Sequence, residues 1–188
     1  LTRGLIDSKM GIAWTTHMRF EKSLLEDQVW QDAKASGCKY LHFGYESGNE
    51  RVLKLMDKAT TTEIMTKHLK YTAEAGIWNH CMGFFGFPGE TREEAWSSVE
   101  FLEQNKDYVH SLGFGTFDLG RHNPVAKHPE KFGVTAYKNP EWDLALDYYF
   151  TVKQGLSIEE AERVFEEFER NHNPGWDLRL FIREYIFL

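Results

Sequence analysis

Two short segments carry the side chains best suited to chemistry. Tyr40-Leu-His-Phe-Gly-Tyr-Glu46 alternates like a strand and runs into Ser47, and Gly86-Phe-Pro-Gly-Glu-Thr91 follows a second apolar run and opens a helix. The C-terminal end of a strand is where parallel barrels keep their reactive groups. A carboxylate there is costly to bury alone. Glu46 is therefore expected to meet either a structural cation, with Arg19 the candidate, or a hydroxyl or ammonium group of a ligand, and the sequence leaves both open. The glycines of the second segment suit a tight turn and allow backbone to approach a planar ligand closely. A phosphate loop is excluded, because it needs Gly, four residues, then Gly-Lys-Ser/Thr. Here position 84 is Phe, and Glu90 in place of the lysine would repel phosphate. His17, His42 and His80 raise a third chemistry, a divalent metal held with Glu46 for hydrolysis. They lie on separate strands without the paired spacing that metal barrels show.

The elements that must position these groups alternate. Apolar stretches begin near residues 12, 40, 77 and 110, with helical patterns between them, the signature of βα units around a parallel sheet. Thr60-x-x-Glu63, Thr91-x-x-Glu94 and Ser157-x-x-Glu160 read as capping boxes. Gly37 and Gly76 fall where helix C-termini want a left-handed residue. Ala95, Val99 and Leu102 share one helical face, as do Ala161, Val164, Phe165 and Phe168.

Strand parity adds a functional hint. Leu41, Phe43 and Tyr45 point to one side of their strand, and His42, Gly44 and Glu46 to the other. In the strand before, Ile12, Trp14, Thr16 and Met18 oppose Ala13, Thr15, His17 and Arg19. A sheet covered by helices on both faces would be apolar on both. One polar face instead predicts a barrel with helices outside and a wet lumen that holds a ligand.

With these residues in place, the chain resembles the radical S-adenosylmethionine (radical SAM) superfamily, in the cobalamin-associated, Elp3- and MiaB-like part of it. Gly44-Tyr-Glu-Ser-Gly-Asn-Glu-Arg-Val-Leu-Lys-Leu-Met-Asp-Lys58 looks like the family's fourth strand and following helix. Ala75-Gly-Ile77 and Gly86-Phe-Pro-Gly-Glu-Thr91 look like its fifth strand, and Gly11-Ile-Ala-Trp-Thr-Thr-His-Met-Arg19 like its third. Residues 109 to 118 would be the sixth. The resemblance implies a partial (β/α) TIM-like barrel of strands three to six at residues 1–118. A divergent loop and helical extension would fill residues 119–188. It implies a 4Fe–4S cluster that reduces SAM to a 5′-deoxyadenosyl radical, and cobalamin in members with a separate domain for it. By position, Glu46 and Ser47 match the region that contacts the SAM ribose and methionyl part, with Arg19 near the SAM carboxylate. Phe84, Gly86, Pro88 and Gly89 match the motif that packs on adenine. Met82 stands where glycine is usual, and Phe117-Asp-Leu-Gly-Arg-His-Asn-Pro124 replaces the commoner Pro-x-x-Gly-Thr, so substrate handling is expected to diverge.

The Cys-x3-Cys-x2-Cys triplet that would hold the cluster is not in this sequence; Cys38 and Cys81 are the two cysteines. The chain is accordingly expected to be a fragment, inactive alone, that needs the N-terminal half of the barrel, a reductant protein and a small-molecule or peptide substrate. Its first strand would lie at an unpaired edge and pair with another chain. The competing readings are the metal-dependent hydrolase and a degenerate barrel kept for binding. A net charge of −7 argues against nucleic acid as the main partner, no run suits a membrane span, and two unpaired-looking cysteines suit the cytoplasm. Against that acidic background, Arg121, His122, Lys127 and His128 form a basic loop. It is expected to meet an anionic substrate, with Asp118 holding Arg121.

Overall fold

The computed structural model describes residues 1–137 and 146–171. Four parallel strands, β1 (Trp14–Met18), β2 (Cys38–Glu46), β3 (Trp78–Phe85) and β4 (Ser111–Thr116), pair in sequence order as an open sheet. That is a partial parallel barrel as expected, and among the described residues β1 has β2 as its one neighbour. Helices α1 (Thr2–Ser8), α2 (Asp27–Ala35), α3 (Glu50–Leu55), α4 (Thr62–Glu74) and α5 (Arg92–Gln104) precede or connect the strands. Alternation sorts the side chains: Leu41, Phe43, Tyr45, Cys81, Phe85 and Leu112 enter the helix-covered core. The apolar faces of α4 (Met65, Leu69) and α5 (Ala95, Val99, Leu102) pack there too.

The helix signals hold with one exception. Thr91 and Glu94 form the reciprocal cap of α5, and Ser157 and Glu160 do the same for the last helix. At α4 the cap is Thr61, whose side chain accepts the Ile64 N–H, and Glu63 pairs with Lys67. Thr62 is held instead by Glu50, which accepts both its N–H and its hydroxyl at 2.7 Å.

Beyond β4 the chain builds a small antiparallel sheet that the sequence reading does not foresee. Its strands are β5 (Leu119–Gly120), β6 (Val134–Tyr137) and β7 (Asp147–Val152), with β7 central. Short helix α6 (Pro124–Lys127) lies between β5 and β6. The predicted helix follows as α7 (Ile158–Asn171), and its Ala161, Val164 and Phe168 join the core of the large sheet. The small sheet has its own apolar cluster, Leu119, Val125, Val134 and Phe150, which packs on Phe87 and on Val52 of α3. The rest of the expected helical extension, residues 172–188, lies outside the described residues.

Candidate active site

The strand ends converge on a cleft of about 780 Å³. Arg19 follows β1, Gly44 and Glu46 end β2, Phe84 is near the end of β3, and Phe117 follows β4; all line it. The α3–α4 loop supplies Met56, Asp57, Lys58 and Thr60, and the small sheet's connections supply Asn123, Val125, His128, Lys131 and Phe132. The volume is in the range of small-molecule sites.

Glu46 has a left-handed backbone, φ 62°, and the β2–β3 register shifts between Gly44 and Glu46. Such a bulge re-aims a side chain at the rim of a sheet. Its carboxylate pairs with Lys58 at 2.9 Å; the structural cation is Lys58 rather than the candidate Arg19. The side chains of Glu46 and Lys58 are 22 % and 33 % exposed, so the pair is open to the cleft. Arg19 lines the cleft with no ion-pair partner among the described residues.

The other side of the cleft is aromatic. Phe84, Phe87 and Phe117 form a connected group, with ring centroids 5.3–6.5 Å apart, and Phe132 meets Phe87 edge-on at 5.9 Å. Of the turn residues, Phe87 enters the cleft and Gly86, Pro88 and Gly89 do not line it. A Cβ on Gly86 would stand 2.5 Å from that of Ala161; its small size serves the packing of the turn on α7. Ser47 is fully buried and faces away from the cleft, its hydroxyl 3.0 Å from that of Ser98 on α5.

Three rings stand lower on the same face of the sheet. His17 stacks on His42 with centroids 4.5 Å apart, and His80 meets His42 at 5.4 Å. His80 is fully buried, shares a hydrogen bond with the Ser111 hydroxyl at 2.8 Å, and has its pKa lowered to about 4 by burial and by His42 and His17. His17 and His42 stack and His80 meets His42 edge-on, Glu46 is committed to Lys58, and no metal-binding cluster of His, Cys, Asp or Glu is present among the described residues. The hydrolase arrangement is not formed.

The basic loop is placed differently from expectation. His128 of that loop lines the cleft, joined by Lys131; Arg121, His122 and Lys127 do not. Asp118 has its pKa raised by partial burial and by Asp147, and among the described residues no ion pair joins it to Arg121. No helix among them is long and apolar enough to cross a membrane.

Lys58 is the residue that sequence reasoning missed. The available signal was its position at the end of the quoted fourth-strand motif, twelve residues after Glu46, where a chain turning back from a short helix returns to the strand end.

Comparison with known proteins agrees with the fold. Residues 6–102 match the model of the radical SAM superfamily. An uncharacterised methyltransferase of Pyrococcus horikoshii is 31 % identical over 97 residues, 50 % of this chain and 20 % of that protein. Cytidylyl-2-hydroxyethylphosphonate methyltransferase of Streptomyces wedmorensis is 27 % identical over 181 residues, 90 % of this chain and 33 % of that protein. The chain thus spans a third or less of the length of these relatives. The radical SAM methyltransferase TsrM of Kitasatospora setae, solved with cobalamin and a [4Fe-4S] cluster, superposes with a TM-score of 0.61 at 17 % identity. The superposition covers 87 % of this chain and 34 % of that one, and it shows a common fold. A family match over half of the sequence, on three of the four strands that build the cleft, assigns the chain: it belongs to the radical SAM superfamily.

Proposed function

We propose that the chain supplies the SAM-binding end of a radical SAM enzyme, with the cleft at the strand ends as the SAM site. The observation that carries this is the pairing of an open Glu46–Lys58 ion pair with the Phe84, Phe87 and Phe117 group across one cavity. The ion pair offers one charge of each sign to the ammonium and carboxylate of a methionyl group or to a ribose hydroxyl, and the rings offer adenine an apolar surface. Arg19, which lines the cleft and has no ion-pair partner among the described residues, offers a second cation to a carboxylate.

With a cluster to deliver one electron, SAM held by Glu46, Lys58 and the aromatic group would supply hydrogen-abstracting radical chemistry to a substrate. The cluster itself does not fit the cysteines of this chain. Cys38 and Cys81 are buried on β2 and β3, and burial raises the first thiol to about 11 and the second higher still. Ligation needs accessible thiolates, so these two cysteines do not hold a cluster. Cobalamin use and methyl transfer are suggested by the names of the relatives and are part of the same proposal.

The test uses the full-length enzyme, reconstituted anaerobically with iron and sulfide. About four irons per chain and reductive formation of 5′-deoxyadenosine from SAM are expected. Glu46→Gln and Phe84→Ala should each weaken SAM binding. Zinc in place of iron, or SAM binding insensitive to both substitutions, would remove the proposal.

A further inference from the structure

The two segments that frame the cleft are fastened to each other through α5. Ser47, Gly48, Asn49 and Arg51 are all met by side chains of the first two turns of α5. Ser47 Oγ and the Gly48 N–H both lie 3.0 Å from Ser98 Oγ. Asn49 Nδ2 donates to Ser97 Oγ at 3.1 Å, and the Tyr45 hydroxyl donates to the Ser98 carbonyl at 2.7 Å. The approach is close: a Cβ on Gly48 would stand 2.3 Å from the Tyr45 hydroxyl and 2.7 Å from Cβ of Phe101.

Arg51 completes this seam on its outer side. Its guanidinium grips the Glu94 carboxylate with Nε and Nη2, and Nη2 also donates to the Gly89 carbonyl at 2.6 Å. One side chain on α3 therefore holds both the cap of α5 and the turn that carries Phe87 into the cleft. The fork shape of guanidinium makes such a two-target grip possible, and a lysine could satisfy one target at a time.

We infer that Arg51 is a positioning residue for SAM: it fixes the spacing between the Glu46–Lys58 pair on one segment and Phe84 and Phe87 on the other. The inference rests on the SAM reading above. Ligand affinity depends on this spacing because a molecule that spans both sides must find both in place. Arg51 touches no lining residue's polar atoms and is 51 % exposed, so it acts through the turn. Its exposure also makes it the part of the seam that can be removed without stranding a buried polar group. Glu94 keeps the Thr91 N–H at 2.9 Å when Arg51 is gone.

The experiment measures binding of S-adenosylhomocysteine, a non-reactive probe, to the full-length enzyme by calorimetry, alongside thermal melts. Arg51→Met is expected to weaken binding about tenfold with the melting temperature of the enzyme unchanged, and Arg51→Lys to recover part of the loss. Glu94→Gln, with its cap shape kept, should reproduce the Arg51→Met loss, and the double variant should be no worse than either single one. Undiminished binding by Arg51→Met, or additive losses in the double variant, would overturn the inference while leaving the SAM site standing. A loss matched by an equal fall in melting temperature in both single variants would assign Arg51 to stability alone and also overturn it. A wild-type enzyme that does not bind the probe would remove the SAM reading and this inference together.

Discussion

Replacing Glu90 with Gln should stabilise the isolated chain above neutral pH and leave it unchanged in mild acid. The side chain is fully buried beneath the β3–α5 turn. Oε2 accepts the Gly86 N–H at 2.6 Å, and Oε1 has no hydrogen-bond partner among the described residues. Burial, aided by the charge of Glu94, raises the carboxyl from 4.5 to about 7, against the pull of the Gly86 and Phe87 N–H groups and Arg51. The folded pKa is thus above the unfolded one. Between the two values the unfolded chain has lost a proton that the folded chain keeps, so stability falls as pH rises through this window and stays low above it. At about 1.36 kcal/mol per pH unit, the gap costs the fold roughly 3 kcal/mol at pH 8. Gln cannot ionise and keeps an acceptor for Gly86, so it should return roughly 2–3 kcal/mol at pH 8, or roughly 4–12 °C in melting temperature. At pH 4.5 the two proteins should unfold at the same urea concentration, because Glu90 is then neutral in the fold. Urea titrations followed by circular dichroism at both pH values measure the difference. A Gln variant no more stable than the wild type at pH 8 would refute the reasoning, since Glu90 would then be ionised and satisfied where it is buried.

His80 should produce the opposite limb: its folded pKa of about 4 lies below its ordinary 6.5, so its contribution is complete above pH 6.5. That contribution fades as pH falls towards 4, by roughly 3 kcal/mol in all; His80→Gln should flatten the acid limb in the same urea titrations. Gly155→Ala should destabilise by roughly 2–4 kcal/mol in a thermal melt. The residue has φ 90° and a Cβ there would meet the Glu90 carbonyl oxygen at 2.6 Å; an unchanged melt would show that this loop can move away. Lys58→Met should weaken S-adenosylhomocysteine binding to the full-length enzyme about tenfold while barely moving the melting temperature, because the ion pair it breaks is partly solvated.

The large sheet was legible because its rules are local. Period-two alternation separated Phe43 and Tyr45 from His42 and Gly44, and the structure sends the first pair into the helix-covered core. Capping signals marked α5 and α7 to the residue. At α4 two adjacent threonines compete for the cap, and Glu50 decides between them by taking Thr62 from a distance. No local signal could report that. The small sheet was missed for a related reason. Leu119–Gly120 is two residues long, and it exists as a strand through pairing with β7, nearly thirty positions later.

The site was legible to the point where the pleat breaks. Parity along β1 and β2 put Arg19 and Glu46 on one face, and both do line the cleft. Parity also suggested that they meet, and this step fails at the register shift between Gly44 and Glu46. Once a bulge intervenes, alternation no longer predicts where the next side chain points. Glu46 then takes a left-handed backbone and finds Lys58, which returns from α3 through Asp57, itself at φ 56°. Two non-glycine residues in this uncommon conformation, one at a strand end and one in the facing loop, together cost a small amount of strain. The fold retains both where an ion pair is presented to a cavity. The departure from pattern therefore falls on the same two residues on which the proposed SAM site rests, and Glu46 with Lys58 is the pair that the binding experiments should address first.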